Sequence, residues 1–283
     1  MDGIILINKE KNYTSHDVVA IAKKALNQKI GHTGTLDPEA TGVLPLLVGR
    51  ATKIAKYLVN HDKVYQAVLK LGIKTDSADG TGNILEEQII KMPKQEQIEE
   101  VFSSMIGKQN QIPPMYSAIK VKGKKLYEYA RQGKSIEVAP REIEIYDLIL
   151  DNLNPNENEI TFTVNCSKGT YIRTLCEQIA EKLGTIGYMK ELKRLQVGDF
   201  KIQDSITIEE LKEKKEKISC ITIEEFFSNK EKIQLAHKQL EQFLNGVKLT
   251  YRLKEDTYRI YDENGKFIGL GVVKDNTLKR DVI

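Results

Sequence analysis

The sequence predicts an α+β fold: a large domain over residues 1–228 built on a mixed or antiparallel sheet, followed by a small β-rich domain over 229–283. Three observations predict it. Strand-like and helix-like stretches are intermixed with hairpin-like spacing, not in the regular alternation of a parallel βαβ sheet. Apolar residues recur at helical spacing in several separate places. After about Ser228 the texture changes to short alternating segments divided by turn residues. At 283 residues the chain is long enough for one large and one small unit.

The elements follow in order. The first seven residues run directly into a strand-like segment with no basic leader, so no signal peptide is expected and the cytoplasm is the expected compartment. No run approaches the ~18 consecutive apolar residues of a membrane helix. Val18, Ile21, Ala22, Ala25 and Leu26 share one helical face, with Ser15 as the expected N-cap. A glycine-rich loop leads to an apolar strand at 43–48 and a short helix at 51–59. Alternation over Lys63–Leu71 puts Tyr65, Ala67, Leu69 and Leu71 on one face. Residues 75–83 form a polar turn cluster with no core-forming side chains.

Ile98, Val101, Phe102, Met105 and Ile106 mark the next helix. Pro113-Pro114 stops what precedes them, and 115–121 reads as a strand. Strands are expected at 143–150 and 160–166. Ser167 to Arg173 then opens a helix with the stripe Ile172, Leu175, Cys176, Ile179, Ala180, Leu183. Alternating charges make 208–217 an exposed helix. In the small domain, a helix at 235–244 closes on Asn245-Gly246, and strands at 257–261 and 267–273 flank Glu263-Asn264-Gly265.

Composition excludes several classes. With 40% apolar and 29% charged residues the chain reads as an ordinary globular protein. Cys166, Cys176 and Cys220 are odd in number without C-x-x-C spacing, and His16, His32, His61 and His237 are scattered. Reduced buried thiols and no metal are expected. The net charge of +3 is unevenly spread. Residues 113–141 hold seven basic side chains (Lys120, Lys122, Lys124, Lys125, Arg131, Lys134, Arg141) against Glu128 and Glu137, giving +5 there and −2 elsewhere. Such a stripe is the footprint of a polyanionic partner, and equally the pattern of a solvated lysine-rich loop.

Chemistry is concentrated at Gly31-His32-Thr33-Gly34-Thr35-Leu36-Asp37-Pro38-Glu39-Ala40-Thr41-Gly42. Three glycines and a proline keep this backbone out of regular helix, an arrangement suited to presenting a few polar groups from a rigid scaffold. Asp37 is the candidate carboxylate; Asp-Pro is also a common turn starter. His32 is a candidate acid–base or stacking group, and Glu39 is expected to be exposed instead of pairing with Asp37.

This loop, continued by Val43-Leu44-Pro45, resembles the catalytic motif of the bacterial TruB-type tRNA pseudouridine synthases. The similarity continues through Gly49-Arg50-Ala51-Thr52-Lys53, Lys63-Val64-Tyr65 and the stretch from Gly72 to Gly80. Pro113-Pro114-Met115-Tyr116-Ser117-Ala118-Ile119-Lys120, Cys166 to Arg173, and Leu192-Lys193-Arg194-Leu195 complete it, in the family's order over residues 1 to about 200. Lys193 stands where the family commonly has Arg.

The resemblance implies isomerisation of uridine to pseudouridine at tRNA position 55, in the T loop, with Asp37 as the essential carboxylate and no cofactor. It implies a substrate pocket of His32, Tyr65, Tyr171, Arg173 and Leu192. In that pocket Tyr65 stacks on the base and helps the C5 proton leave, Arg173 pairs with Asp37, and Leu192 is an apolar wall. Lys120, Lys122, Lys124, Lys125 and Arg131 would bind RNA phosphates. The C-terminal unit resembles the PUA-like RNA-binding modules of these enzymes. A monomer without an obligate protein partner or membrane association is expected. Two other readings share the motifs: a guide-RNA-dependent synthase, and a tRNA-binding folding helper with incidental catalysis.

Overall fold

The computed structural model describes residues 1–283 except 118, 122 and 135. Lys122, one of the expected phosphate contacts, lies outside the described residues.

Two apolar segments begin the sheet. β1 (Gly3–Lys9) is buried on both faces and pairs antiparallel with β3 (Thr41–Val48), whose far edge also takes β2 (Ile30–His32). β4 (Lys63–Leu71) is followed by a separate hairpin of β5 (Ile73–Thr75) and β6 (Ile84–Glu87). β7 (Gly107–Gln111) is an edge strand, and β8 (Lys120–Val121) with β9 (Lys124–Lys125) forms a second small hairpin. β10 (Arg141–Asn154), β11 (Glu159–Cys166), β12 (Gly187–Val197), β13 (Phe200–Lys201) and β14 (Ile221–Thr222) complete a ten-stranded sheet. Its main order is β14-β1-β3-β12-β4-β11-β10-β7, and its pairs are antiparallel except β3 with β12.

Helices cover the sheet where their apolar stripes demand. α1 (Ser15–Leu26) and α6 (Ile208–Lys214) place Val18, Ala22, Leu26, Ile208 and Leu211 on the β1–β3 side. α3 (Gln95–Ser104) and α5 (Ile172–Lys182) pack Ile98, Phe102, Leu175 and Ile179 against β4, β10 and β11. α4 (Leu126–Ala130) follows the β8–β9 hairpin, and two other short helices, α2 (Ala55–Leu58) and α7 (Ile223–Phe226), lie toward the C-terminal sheet. That sheet has the order β15-β17-β18-β19-β16. Its strands are β15 (Lys232–Gln234), β16 (Leu249–Thr250), β17 (Asp256–Tyr261), β18 (Phe267–Lys274) and β19 (Thr277–Val282), with α8 (His237–Leu244) packed on it. Leu270 and Val282 from this sheet share a core with Ile4, Val43 and Ile54. Polar bonds cross the same junction, Tyr57 to Asp281 at 2.6 Å and Tyr261 to Glu224 at 2.6 Å.

The mixed α+β expectation holds, with local corrections. Thr14, not Ser15, caps α1: its hydroxyl accepts from the Asp17 N–H (3.0 Å) while the Asp17 carboxylate accepts from the Thr14 N–H (2.8 Å). Residues 51–59 form the end of a 3₁₀ turn and then α2. Of 115–121, strand covers only Lys120–Val121. The helix at 208–217 is not simply exposed, because Ile208 and Leu211 are fully buried. The turn cluster at 75–83 does bury side chains, Thr75, Ser77 and Ala78. Cys166 and Cys176 are buried, but Cys220 is only half-buried. β12 was absent from the sequence reading although it lies mid-sheet. Register shifts between Met189 and Glu191 and between Arg194 and Gln196 break its alternation, so no period of two survives to be read.

Candidate active site

The loop between β2 and β3 is held from beneath by its backbone, which leaves the Asp37 and Glu39 side chains at the surface. Buried Ser15 clamps it, accepting from the Leu36 N–H at 2.9 Å and donating to the Leu36 carbonyl at 3.1 Å. Lys9, fully buried at the end of β1, donates from Nζ to the carbonyls of Pro38 (3.1 Å), Glu10 (2.9 Å) and Tyr13 (2.7 Å). Burial pushes this ammonium down to about 8, while Asp37 and Glu39 pull it back up. Arg194, also buried, donates from Nε to the Val43 carbonyl (2.8 Å) and from Nη2 to the Gly34 carbonyl (3.1 Å). All three donors a lysine offers are thus spent on backbone, and an arginine fork ties the two ends of the loop. Asp37 and Glu39 stay exposed.

Arg173 supplies the expected partner of Asp37 and does more. It sits in the first turn of α5, and its Nη2 lies 3.2 Å from Asp37 Oδ2 and donates to the Tyr116 carbonyl at 2.8 Å. Its Nη1 lies 3.5 Å from Asp79 Oδ2 and donates to the Ser77 carbonyl at 3.4 Å. Asp79 is itself fixed by the Ser77 hydroxyl (2.7 Å), the Thr81 N–H (3.0 Å) and the Thr81 hydroxyl (2.6 Å). One planar guanidinium therefore spans two carboxylates, one restrained and one half-exposed.

Asp37 and Arg173 line both of two adjoining cavities, an outer one of about 800 Å³ and an inner one of about 340 Å³. The inner cavity is lined by Tyr65, Tyr171 and Leu192 together with Asp37 and Arg173. Tyr65 and Leu192 face it from β4 and β12, neighbours whose register pairs Tyr65 with Arg194 and Leu192 with Ala67. Burial pushes the Tyr65 phenol up, so it stays protonated; Arg194 beside it pulls the other way. Tyr116 and Tyr127 also line both cavities.

His32 is not among the lining residues of either cavity. It packs edge-to-face on His16 at 5.5 Å, and burial pushes its imidazole below the ordinary range, helped by His16 and Arg194. In the basic segment, Arg131 lines the outer cavity. Lys125 and Arg131 both lie over the Tyr127 ring, at 5.3 and 5.4 Å from its centroid. Lys120 and Lys124 are exposed on the β8–β9 hairpin.

Sequence reading missed Lys9, Arg194, Asp79, Tyr116 and Tyr127 as site residues. Lys9 follows the apolar run Ile4–Ile7 only after Asn8 and is succeeded by Glu10 and Lys11, so nothing in the sequence marks it out from an ordinary charged strand end. Arg194, Asp79 and Tyr116 lie inside the resembling motifs and Tyr127 in the basic segment, with nothing in their spacing to join them to Asp37. Among the described residues no group of His, Cys, Asp and Glu could hold a metal ion, and no helix is long and apolar enough to cross a membrane. Burial pushes the Cys166 thiol up to about 12, which removes it as a nucleophile.

Residues 23–172 match the TruB family pseudouridylate synthase N-terminal domain, 173–244 the tRNA pseudouridylate synthase B C-terminal domain, and 232–280 the pseudouridine synthase II TruB C-terminal domain. The chain is 41% identical over 282 residues to tRNA pseudouridine synthase B of Caldanaerobacter subterraneus subsp. tengcongensis, covering 99% of this chain and 98% of that protein. It is 43% identical over 286 residues to the protein of the same name from Clostridium kluyveri, with the same coverage of each, 99% and 98%. Among solved structures, a Cbf5–Nop10–Gar1 complex aligns with TM-score 0.70 and 25% identity over 99% of this chain and 84% of the matched one. With both halves matched and relatives this similar along nearly its whole length, the chain belongs to the TruB family of pseudouridylate synthases.

Proposed function

We propose that this protein converts uridine to pseudouridine at position 55 in the T loop of tRNA, working alone, as a monomer in the cytoplasm and without a cofactor. The observation that carries the reading is Asp37, presented by an anchored loop where the two cavities meet and oriented by Arg173 at 3.2 Å. The relatives named tRNA pseudouridine synthase B support tRNA as the substrate.

The chemistry sets what the site must do. The C1′–N1 bond breaks, the uracil turns, a C1′–C5 bond forms, the C5 proton leaves and N1 takes up a proton, so no group is gained or lost overall. A carboxylate reaches the reacting atoms only once the base has left its stack, which costs a few kcal/mol. The inner cavity offsets that cost. Tyr65 and Tyr171 give flat surfaces for the uracil, Leu192 gives an apolar wall, and Asp37 is the reacting carboxylate. The Tyr65 side chain, lining the inner cavity, takes part in the departure of the C5 proton. Arg173 pairs with Asp37 and aims it, and His32 holds the opened RNA loop outside the pocket.

Residues 1–228 act as the synthase domain and 229–283 as a small PUA-like RNA-binding domain. Lys120, Lys124, Lys125 and Arg131 bind phosphates, so that affinity is electrostatic while selectivity comes from the shape of the T arm and its extruded bases. A second reading, guide-RNA dependence, draws on the structural likeness to the Cbf5 complex.

The test is tritium release from C5-labelled uridine in a T-arm stem-loop and in full tRNA. Wild type is expected to release it without added metal, nucleotide or guide RNA, and Asp37→Asn to bind tRNA without release. Release only when a guide RNA is supplied would favour the second reading, and release by Asp37→Asn would sink the assignment of the carboxylate.

A further inference from the structure

Gln111 is the last residue of edge strand β7 and is 1% exposed. Its register partner is Arg141, the first residue of β10. The basic segment therefore leaves the sheet and returns to it at one neck, and Gln111 is half of that neck. Its side chain does not face the RNA surface. The amide carbonyl accepts from the Tyr171 N–H at 2.8 Å, and the amide NH₂ donates to the Tyr171 carbonyl at 3.1 Å.

That two-way bond imitates a β-ladder pair on a residue that belongs to no strand. Tyr171 precedes α5 as its N-cap and has no side-chain cap of its own. Its carbonyl also accepts from the Leu175 N–H at 3.0 Å, so holding Tyr171 holds the first helical turn. Arg173 lies in that turn. On the other side, the chain beyond Gln111 runs through two prolines to Tyr116, whose carbonyl accepts from Arg173. Gln111 thus fixes both the helix that carries Arg173 and the segment that braces it.

We infer that Gln111 is a positioning residue that ties the neck of the RNA-binding segment to the wall of the pocket, holding Tyr171 and Arg173 in register with Asp37. The inference rests on the reading of the Asp37 site given above. Among side chains of this length only glutamine both donates and accepts here: glutamate at neutral pH only accepts, and methionine does neither. Because Gln111 touches no substrate, its loss acts on the reacting geometry and not on the phosphate contacts.

The experiment compares full-length wild type, Gln111→Met and Gln111→Glu for tRNA affinity by filter binding, single-turnover tritium release, and thermal unfolding. For Gln111→Met the rate is expected to fall roughly 100-fold, the loss typical of a displacement near 1 Å. Its tRNA Kd should stay within about threefold, the mark of an effect confined to the transition state. Gln111→Glu, which keeps the acceptor for the Tyr171 N–H, should fall between. An unchanged rate in Gln111→Met overturns the inference. So does parallel loss of rate and binding in both variants, or their failure to fold, because either would make Gln111 merely structural. If wild type itself releases no tritium from tRNA, the parent reading fails and this one with it.

Discussion

Arg173, buried in the first turn of α5, reaches the half-exposed carboxylate of Asp37 across 3.2 Å while the same guanidinium stands 3.5 Å from Asp79. The fork is planar, so its two carboxylate directions are fixed with respect to each other. Asp79 is tethered to Ser77 and Thr81, which makes it the anchor from which Arg173 aims Asp37.

Arg173→Lys tests this geometry. An ammonium carries the charge but cannot address Asp37, Asp79 and the Tyr116 carbonyl from one rigid plane. Turnover is expected to drop roughly 100-fold, comparable with losing one preorganised donor at a reacting centre. Tritium release measured beside tRNA affinity would check it; near-normal turnover would mean that charge alone suffices.

Much of this was legible beforehand, and the reasons differ by element. The stripe Ile172 to Leu183 and the alternation of β4 each bury one clean face, so period alone identified them. β12 escaped because two bulges erase its period, although it carries Leu192 and Arg194 into the site. Local pattern also cannot say that Ser15, a natural cap, would turn inward to Leu36 while Thr14 takes the cap. Asp37 stood out as a candidate in its glycine-rich loop, Tyr65, Tyr171, Arg173 and Leu192 came from family resemblance, and all five line one cavity. Lys9 and Asp79 depend on tertiary neighbours far along the chain, which spacing does not encode.

Gly42→Ala probes the parallel junction of β3 and β12. Gly42 has φ +107°, and a Cβ there would lie 2.1 Å from the Arg194 carbonyl oxygen and 2.6 Å from its nitrogen. Those atoms are backbone and cannot swing away, so the strands must separate and Arg194 must loosen its hold on Gly34 and Val43. A destabilisation of about 3–5 kcal/mol is expected, at the upper end for single substitutions. Gly265→Ala is the control. It has φ +80° but nothing within 4 Å, so it should cost only about 1 kcal/mol. Urea unfolding of both variants distinguishes a steric wedge from ordinary backbone strain.

His32 makes stability depend on pH in a defined direction. Burial, His16 and Arg194 hold its folded imidazole below the ordinary value of 6.5. As pH falls through about 6.5 the unfolded chain takes up a proton that the folded chain still refuses, so stability declines until the lower folded value is passed. His32→Gln should flatten this limb between pH 5 and 7 while leaving the curve near pH 8 unchanged. Urea midpoints across that range provide the measurement, and an identical acid limb in the variant would show that His32 does not contribute to it.

Salt dependence tests the basic segment. Lys124 is exposed on the β8–β9 hairpin, and Arg131 lines the outer cavity while covering Tyr127. If each neutralises a phosphate, each releases condensed counterions on binding, and log Kd rises linearly with log salt. Removing one such contact should lower that slope by roughly 0.7–0.9 for either Lys124→Ala or Arg131→Ala. Lys212→Ala, an exposed position on α6, should leave it unchanged. Arg131→Ala should also lose affinity that salt does not restore or remove, because its stacking on Tyr127 is short-ranged and poorly screened. Filter binding of tRNA over a salt series separates the two parts: a changed slope reports phosphate contact, and a constant offset reports the Tyr127 platform. Equal slopes for all three variants would mean that the +5 segment is a solvated surface that RNA does not touch.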